Sequence, residues 1–108
     1  MIVGLYAVYD RCSGVYDGPV PAQRDEVAIR NFSDLCINAD HPLGKHPDDF
    51  TLFKVGTWND GTGTPEKLAA PLKLINGVEA IANSRAVDKE QLQLFDANAA
   101  NGGDSHAT

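Results

Sequence analysis

Apolar residues near the N-terminus occupy both faces of a predicted strand, a pattern typical of a strand in the middle of a sheet. This strand spans residues 2–9. The turn-forming run 10–14 follows, and residues 15–17 return as a short second strand. We expect Pro19 and Pro21 to end that strand, because proline donates no ladder hydrogen bond. The pattern therefore predicts an N-terminal β-hairpin.

The next stretch shows apolar residues at helical spacing, which predicts a helix over residues 22–37. We expect its apolar stripe to pack on one face of the sheet as core, while charged side chains face the solvent. The stripe consists of Ala28, Ile29, Phe32, Leu35 and Cys36. Residues 38–47 contain two prolines, a glycine and two histidines, and are predicted to form an irregular loop.

The longest predicted strand spans residues 50–58, where aromatic and β-branched residues are concentrated. The turn-forming run 59–63 ends it, because its glycines supply positive φ angles. A lysine inside a strand is poorly suited to burial, so we expect Lys54 to project from an uncovered face beside Trp58 and Phe50. Strict alternation places these three on one face, together with Leu52 and Gly56.

Beyond this turn the pattern is less regular. Residues 68–82 are predicted to hold one or two short strands, with Asn76-Gly77 as a hairpin turn. Residues 87–98 are predicted to form a short terminal helix, because their apolar residues share a side. Residues 99–108 carry no apolar stripe, and we expect a flexible tail.

These elements predict a single domain over residues 1–98 of the α+β class. Its antiparallel sheet would begin with the N-terminal β-hairpin, and one amphipathic helix would pack on one face. A single helix cannot cover both faces of a sheet. If the other face exposes aromatic residues, it is expected to be a dimer interface or a ligand platform.

The chain carries a formal net charge of −6, whereas proteins that grip nucleic acid by its phosphates are usually basic. Residues 1–86 carry 8 basic and 11 acidic side chains. Half of the excess negative charge lies in residues 87–108, where the basic residue is Lys89 and the acidic residues are Asp88, Glu90, Asp96 and Asp104. Nucleic-acid binding would therefore require a local basic face on the body of the protein.

Catalytic and cofactor motifs are absent from the sequence, which has no nucleophile elbow, P-loop, dinucleotide fingerprint or zinc-protease motif. His41 and His46 lie five residues apart in the loop, a poor spacing for a metal site. Cys12 and Cys36 lack metal-ligand spacing as well. We therefore predict no enzymatic activity, no metal and no cofactor. No apolar run approaches the roughly 18 residues of a membrane span, and no basic leader is present.

Three segments resemble the nonstructural protein family of the gokushoviruses, small tailless phages of the Microviridae with circular single-stranded DNA genomes. They are LYAVYDRCSGVYDGP, AIRNFSDLCIN and KHPDDFTLFKVGTWNDGTG, and the resemblance covers residues 1–64. No catalytic motif defines that family. The resemblance implies a viral nonstructural protein in the cytoplasm of an infected bacterium. It also implies a role in viral genome replication, or in the switch to single-strand synthesis and packaging.

Single-strand binders combine aromatic platforms with cations that track the backbone. The candidate stacking residues are Tyr6, Tyr9, Tyr16 and Trp58, and the candidate phosphate contacts are Arg11, Lys45 and Lys54. Together with the resemblance, they predict a small homo-oligomer that binds DNA, and single-stranded DNA is the expected form.

Two alternatives to DNA binding stay open: an interaction module, and a scaffold or packaged structural component of the virion. The aromatic residues can equally belong to the core or a dimer interface, as most aromatics in small domains do. The protein would then be an interaction module for a viral replication or capsid protein or a host factor, without direct DNA contact. The net charge of −6 favours this alternative.

Overall fold

A computed structural model describes residues 1–86 of the chain. The predicted terminal helix at 87–98 and the predicted tail at 99–108 lie outside the described residues. The fold is α+β, as predicted, with an antiparallel sheet that begins with the N-terminal hairpin. Its elements are β1 (Ile2–Asp10), β2 (Val15–Ala22), α1 (Asp25–Cys36), α2 (Pro42–Lys45), a 3-10 turn (Pro47–Asp49), β3 (Phe50–Asn59), β4 (Thr64–Asn76) and helical residues 77–86, here α3.

The four strands form one antiparallel sheet in the order β2-β1-β3-β4. The long strands β1 and β3 occupy its centre, which agrees with their apolar residues on both faces. Strand β2 continues through both of its prolines to Ala22, so the prediction that they end it is wrong. An edge strand tolerates proline, because one row of its backbone groups has no neighbouring strand to bond.

Helix α1 covers one face of the sheet through Ala28, Phe32 and Cys36, all of which are buried. They pack in a core with side chains from the central strands, from α2 and from α3, namely Tyr6, Leu43, Leu52, Ile75 and Ala80. Ile29 is half-buried against this core. Leu35, in contrast, is 40% exposed, which corrects its prediction as core.

Residues 64–76 form one long strand, and the chain then enters α3 at once. The predicted hairpin turn at Asn76-Gly77 is therefore wrong. Asn76 Oδ1 accepts from the Glu79 backbone N–H at 2.8 Å, and Glu79 Oε1 accepts from the Asn76 backbone N–H at 3.0 Å. This reciprocal capping box begins the helix. Gly77 lies against the backbone of Pro47, where a Cβ atom would have no room.

Candidate nucleic-acid interface

A β-bulge at Val55 decides which side chains share a face of the sheet. Leu5 pairs with Gly56, but the next residue, Tyr6, pairs with Lys54, so Val55 has no partner on β1. Residues opposite each other in an antiparallel pair share a face. The extra residue therefore reverses the alternation of side chains along β3. Residues before and after Val55 that are an even number of positions apart point to opposite faces.

The face opposite the helices, here called the open face, follows from the register. Val8, Leu52 and Ile75 form one row across the sheet, and all three pack in or against the core, so this row marks the covered face. The alternate rows form the open face: Tyr9–Thr51–Asn76, Ala7–Phe53–Lys73, Leu5–Gly56–Lys67 and Val3–Trp58–Pro65, with Tyr16 beside Tyr9 and Pro21 beside Leu5.

Three aromatic rings cluster near the β2 edge of the open face. The ring centroids of Tyr9 and Tyr16 are 4.8 Å apart, and those of Tyr16 and Phe53 are 5.4 Å apart in an edge-to-face arrangement. Tyr9 and Phe53 meet edge-to-face at 6.4 Å. Ala7, opposite Phe53, is buried although it belongs to no part of the helix-side core. The three packed rings thus form an aromatic platform, on which Tyr16 is 46% exposed.

Trp58 lies farther along the same face, between Val3 and Pro65. Five residues of β3 separate it from Phe53, which corresponds to roughly 16 Å of strand. The indole is half-buried and the neighbouring positions carry small or aliphatic side chains. The open face thus offers two separate aromatic positions in one line along β3.

Two lysines of β4 border this line. Lys67 lies opposite Gly56, between the two aromatic positions, and makes no ion pair within residues 1–86. Lys73 lies opposite Phe53, and its Nζ is 3.5 Å from Glu79 Oε1, with both side chains about half exposed. An exposed pair of this kind is weak, so the lysine remains able to contact a phosphate.

Acidic side chains of the strands lie elsewhere. Asp10, Asp17 and Glu66 pair with residues of the covered-face rows. The register places no Asp or Glu on the open face within the described strands. The charged strand residues of the open face within residues 1–86 are therefore lysines, with the Glu79 carboxylate of α3 beside Lys73, although the whole chain carries −6.

Two predicted site residues lie on the covered face instead. Tyr6 is a core residue, 4% exposed, and its hydroxyl donates to Asp25 Oδ1 at 2.5 Å. Burial, with Asp25 beside it, raises the pKa of the Tyr6 phenol above its ordinary value. Lys54 Nζ lies 3.5 Å from the same carboxylate oxygen. The prediction that Lys54 projects from the uncovered face beside Trp58 and Phe50 is therefore wrong. The bulge places Lys54 and Trp58 on opposite faces of the sheet. Phe50 packs against the core.

The other two predicted cations are not on the open face either. Arg11, at the tip of the first hairpin, bonds Asp49 Oδ1 at 2.9 Å and lies 3.6 Å from Asp48. The hydrogen bond to Asp49 raises the pKa of the guanidinium further. Lys45 is exposed in the last turn of α2, a helix whose Leu43 packs in the helix-side core. Of the predicted set, the structure brings together Tyr9 and Tyr16 and places Trp58 on the same face.

Lys67 and Lys73 are not among the phosphate contacts predicted from the sequence. The available signal was their even spacing within one strand, which lets both side chains point to one side.

Within residues 1–86, no group of three or more potential metal ligands occurs. Nor does that part of the chain contain a helix long and apolar enough to cross a membrane. His41 caps α2, since its Nδ1 accepts from the Leu43 backbone N–H at 3.1 Å.

Comparison with known proteins gives one family. Residues 3–80 match the family model described as Phage ORF5 protein. No curated protein and no solved structure matches the chain.

Proposed function

The chain is a phage protein that belongs to the Phage ORF5 protein family, and from this premise we propose that it binds single-stranded DNA through its open face. In this proposal it is a nonstructural protein of a gokushovirus-like member of the Microviridae. It acts in the cytoplasm of the infected bacterium, during genome replication or the switch to single-strand synthesis and packaging. It performs no catalysis and requires no cofactor.

The observation that carries the proposal is the composition of the open face. Stacking rings at Tyr16 and Trp58 occur there with Lys67 and Lys73, and the register adds no carboxylate among the described strands. Single-strand binders use this combination, because every base has a π-face and every nucleotide has a phosphate. The net charge of −6 is compatible with such binding since the acidic strand residues belong to the other face.

The expected affinity is modest for one protomer. Stacking contributes about 1–3 kcal/mol per base, so the exposed Tyr16 and the half-buried Trp58 together support binding in the range of weak single-domain binders. A small homo-oligomer would present several such faces to one strand and multiply the contacts through effective concentration. We therefore propose that the protein works as an oligomer.

The test is an anisotropy titration of a fluorescein-labelled oligothymidine of about 20 nucleotides, a length that exceeds the site size of one small domain. The same titration with a duplex of equal length measures the preference for single strands. The paired variant Lys67→Gln/Lys73→Gln should weaken binding and reduce the salt slope by about 0.7 for each lysine–phosphate interaction that it removes. Trp58→Ala should weaken binding and leave the salt slope unchanged, because it removes stacking alone.

The matched control is Arg11→Gln/Lys45→Gln, which removes the same charge from positions off the open face. Its affinity and salt slope should equal those of the parent protein. Equally weakened binding in both paired variants would indicate a diffuse electrostatic effect and contradict the open face as the binding site. If neither DNA form binds at tens of micromolar protein, the interaction-module alternative replaces this proposal.

A further inference from the structure

A groove runs along the helix side of the sheet, between the edge strand β2 and helix α1. It consists of two adjoining concavities of about 520 and 170 Å³ that share Val8, Asp17, Val20 and Leu35. Core side chains such as Phe32 line it. Aliphatic side chains at its rim remain exposed, with Val20 63% and Leu35 40% accessible. The groove is thus an apolar surface that no described part of the chain covers.

Charge around the groove has one sign. Asp10 and Asp17 line it, and no lysine or arginine of residues 1–86 does. Asp17 makes no ion pair or side-chain hydrogen bond with a described residue. The Asp10 carboxylate accepts one bond, from the Cys12 backbone N–H at 2.9 Å. The groove therefore combines an apolar floor with carboxylates that are free to receive a cation.

We propose that this groove binds a basic amphipathic segment of a partner protein. Its apolar residues would fill the space between Val20 and Leu35, and its lysines or arginines would face Asp10 and Asp17. A helical segment fits this role better than an added strand, because Pro19 and Pro21 interrupt the β2 edge. This inference uses the helix side of the sheet, which meets the proposed DNA surface at Tyr16 of the edge strand, and it does not depend on DNA binding.

Charge complementarity also favours a basic partner segment over the other molecules that could occupy the groove. Residues 87–108 of the chain carry Lys89 against four acidic side chains, so this segment would be repelled by Asp10 and Asp17. A phosphate backbone would be repelled for the same reason. A second copy of a chain with net charge −6 brings no excess of cations to the groove. A basic partner segment satisfies both the apolar floor and the acidic rim.

The test uses two labelled synthetic peptides of about 14 residues, four helical turns in length, one built from leucine and lysine and the other from leucine and glutamate. Anisotropy titrations use the full chain. The lysine peptide should bind and the glutamate peptide should not. Asp17→Asn and Leu35→Gln should each weaken the lysine peptide about fivefold, in line with the removal of one charge pair or one apolar anchor.

Matched controls are Asp34→Asn, which removes a carboxylate from α1 outside the groove, and Leu72→Gln, which replaces an exposed leucine on the opposite edge strand. Both should bind the lysine peptide like the parent chain, and thermal unfolding checks that all four variants fold. The proposal is overturned if the lysine peptide does not bind, or if groove and control variants are weakened equally. It is also overturned if Leu35→Gln dissociates a self-associated protein while the peptide has no effect, since a second copy would then occupy the groove.

The Lys67→Gln/Lys73→Gln variant makes the two proposals separable. It should retain full peptide affinity, and saturating oligothymidine should not displace the lysine peptide from the parent protein. A failure of peptide binding therefore leaves the DNA result intact, and a failure of DNA binding leaves the peptide result intact.

Discussion

The Asp25 carboxylate, in the first turn of α1, receives two side chains from the sheet. The Tyr6 hydroxyl donates to Oδ1 at 2.5 Å, and Lys54 Nζ lies 3.5 Å from the same oxygen. A carboxylate at a helix N-terminus is also favoured by the helix dipole. The two contacts join α1 to β1 and β3, so they are expected to stabilise the fold rather than bind a ligand.

Tyr6→Phe removes the hydroxyl and keeps the ring, and we expect it to lower the free energy of unfolding by about 1–2 kcal/mol, because it removes a hydrogen bond to a partly exposed carboxylate. Chemical denaturation measures the change. The matched control is Tyr9→Phe, since the Tyr9 hydroxyl makes no hydrogen bond within the described residues. Equal stabilities of the two variants would show that the Tyr6 bond is not a stabilising contact.

The same variant should change the dependence of stability on pH. The pKa of Tyr6 is raised in the folded protein above the ordinary value of 10.0, so folding favours the protonated phenol. Its contribution is fully present below pH 10 and is lost as the pH rises, because the unfolded chain then releases the proton. The difference between the parent protein and Tyr6→Phe should therefore shrink in alkaline solution. A difference that grows with pH would contradict the raised pKa.

Helix α1 serves two surfaces with one apolar stripe. Phe32 is 3% exposed and contacts the core, whereas Leu35 lies at the rim of the groove. The helix is therefore anchored by part of its stripe and leaves the rest accessible to a partner. Substitutions at Phe32 and Leu35 therefore test the core and the groove separately, although both residues lie on one helix.

Phe32→Ala is expected to cost about 3–5 kcal/mol, as large-to-small core substitutions do, and Leu35→Ala less than about 1 kcal/mol, because its side chain is already partly in water. Thermal or chemical denaturation measures the loss of stability in each of the two variants. If Phe32→Ala melts within a degree or two of the parent, α1 does not pack on the sheet as described. If Leu35→Ala is equally damaging, the groove is closed in solution.

At the scale of the whole molecule, the sheet separates two charge environments. Lysines and aromatic rings lie on the open face, while Asp10 and Asp17 border the groove on the helix side. A net charge of −6 describes neither face. Within residues 1–86, the packed core residues run from Tyr6 to Ile81.

Removal of residues 99–108 is therefore expected to leave the unfolding transition unchanged. The sequence of this segment, AANGGDSHAT, offers no apolar stripe to pack and little means of ordering. Circular dichroism melting of the shortened chain compares its midpoint and width with those of the full protein. A lower or broader transition would show that the segment contributes to the fold.

Periodicity determined the α+β class, the first hairpin, the position of α1 and the strand around Phe53, because each depends on residues close in sequence. It did not determine β4 or α3. Asn76-Gly77 has the composition of a hairpin turn, but Glu79 completes a capping box with Asn76, and Gly77 fits against Pro47, a residue distant in the chain. Which of two local structures forms was decided by tertiary contacts that no local window contains.

The candidate site was determined only in part for the same reason. The sequence predicted Tyr9, Tyr16 and Trp58, which the register places on the open face, but alternation along β3 assigned Lys54 to the wrong face. At Val55, β3 carries one residue more than β1 in the pairing, and an unpaired extra residue leaves no trace in the periodicity of a single strand. A shift of one residue moves every later side chain to the other face. The register between strands, which only the tertiary structure contains, therefore replaced Lys54 with Lys67 and Lys73 on the open face.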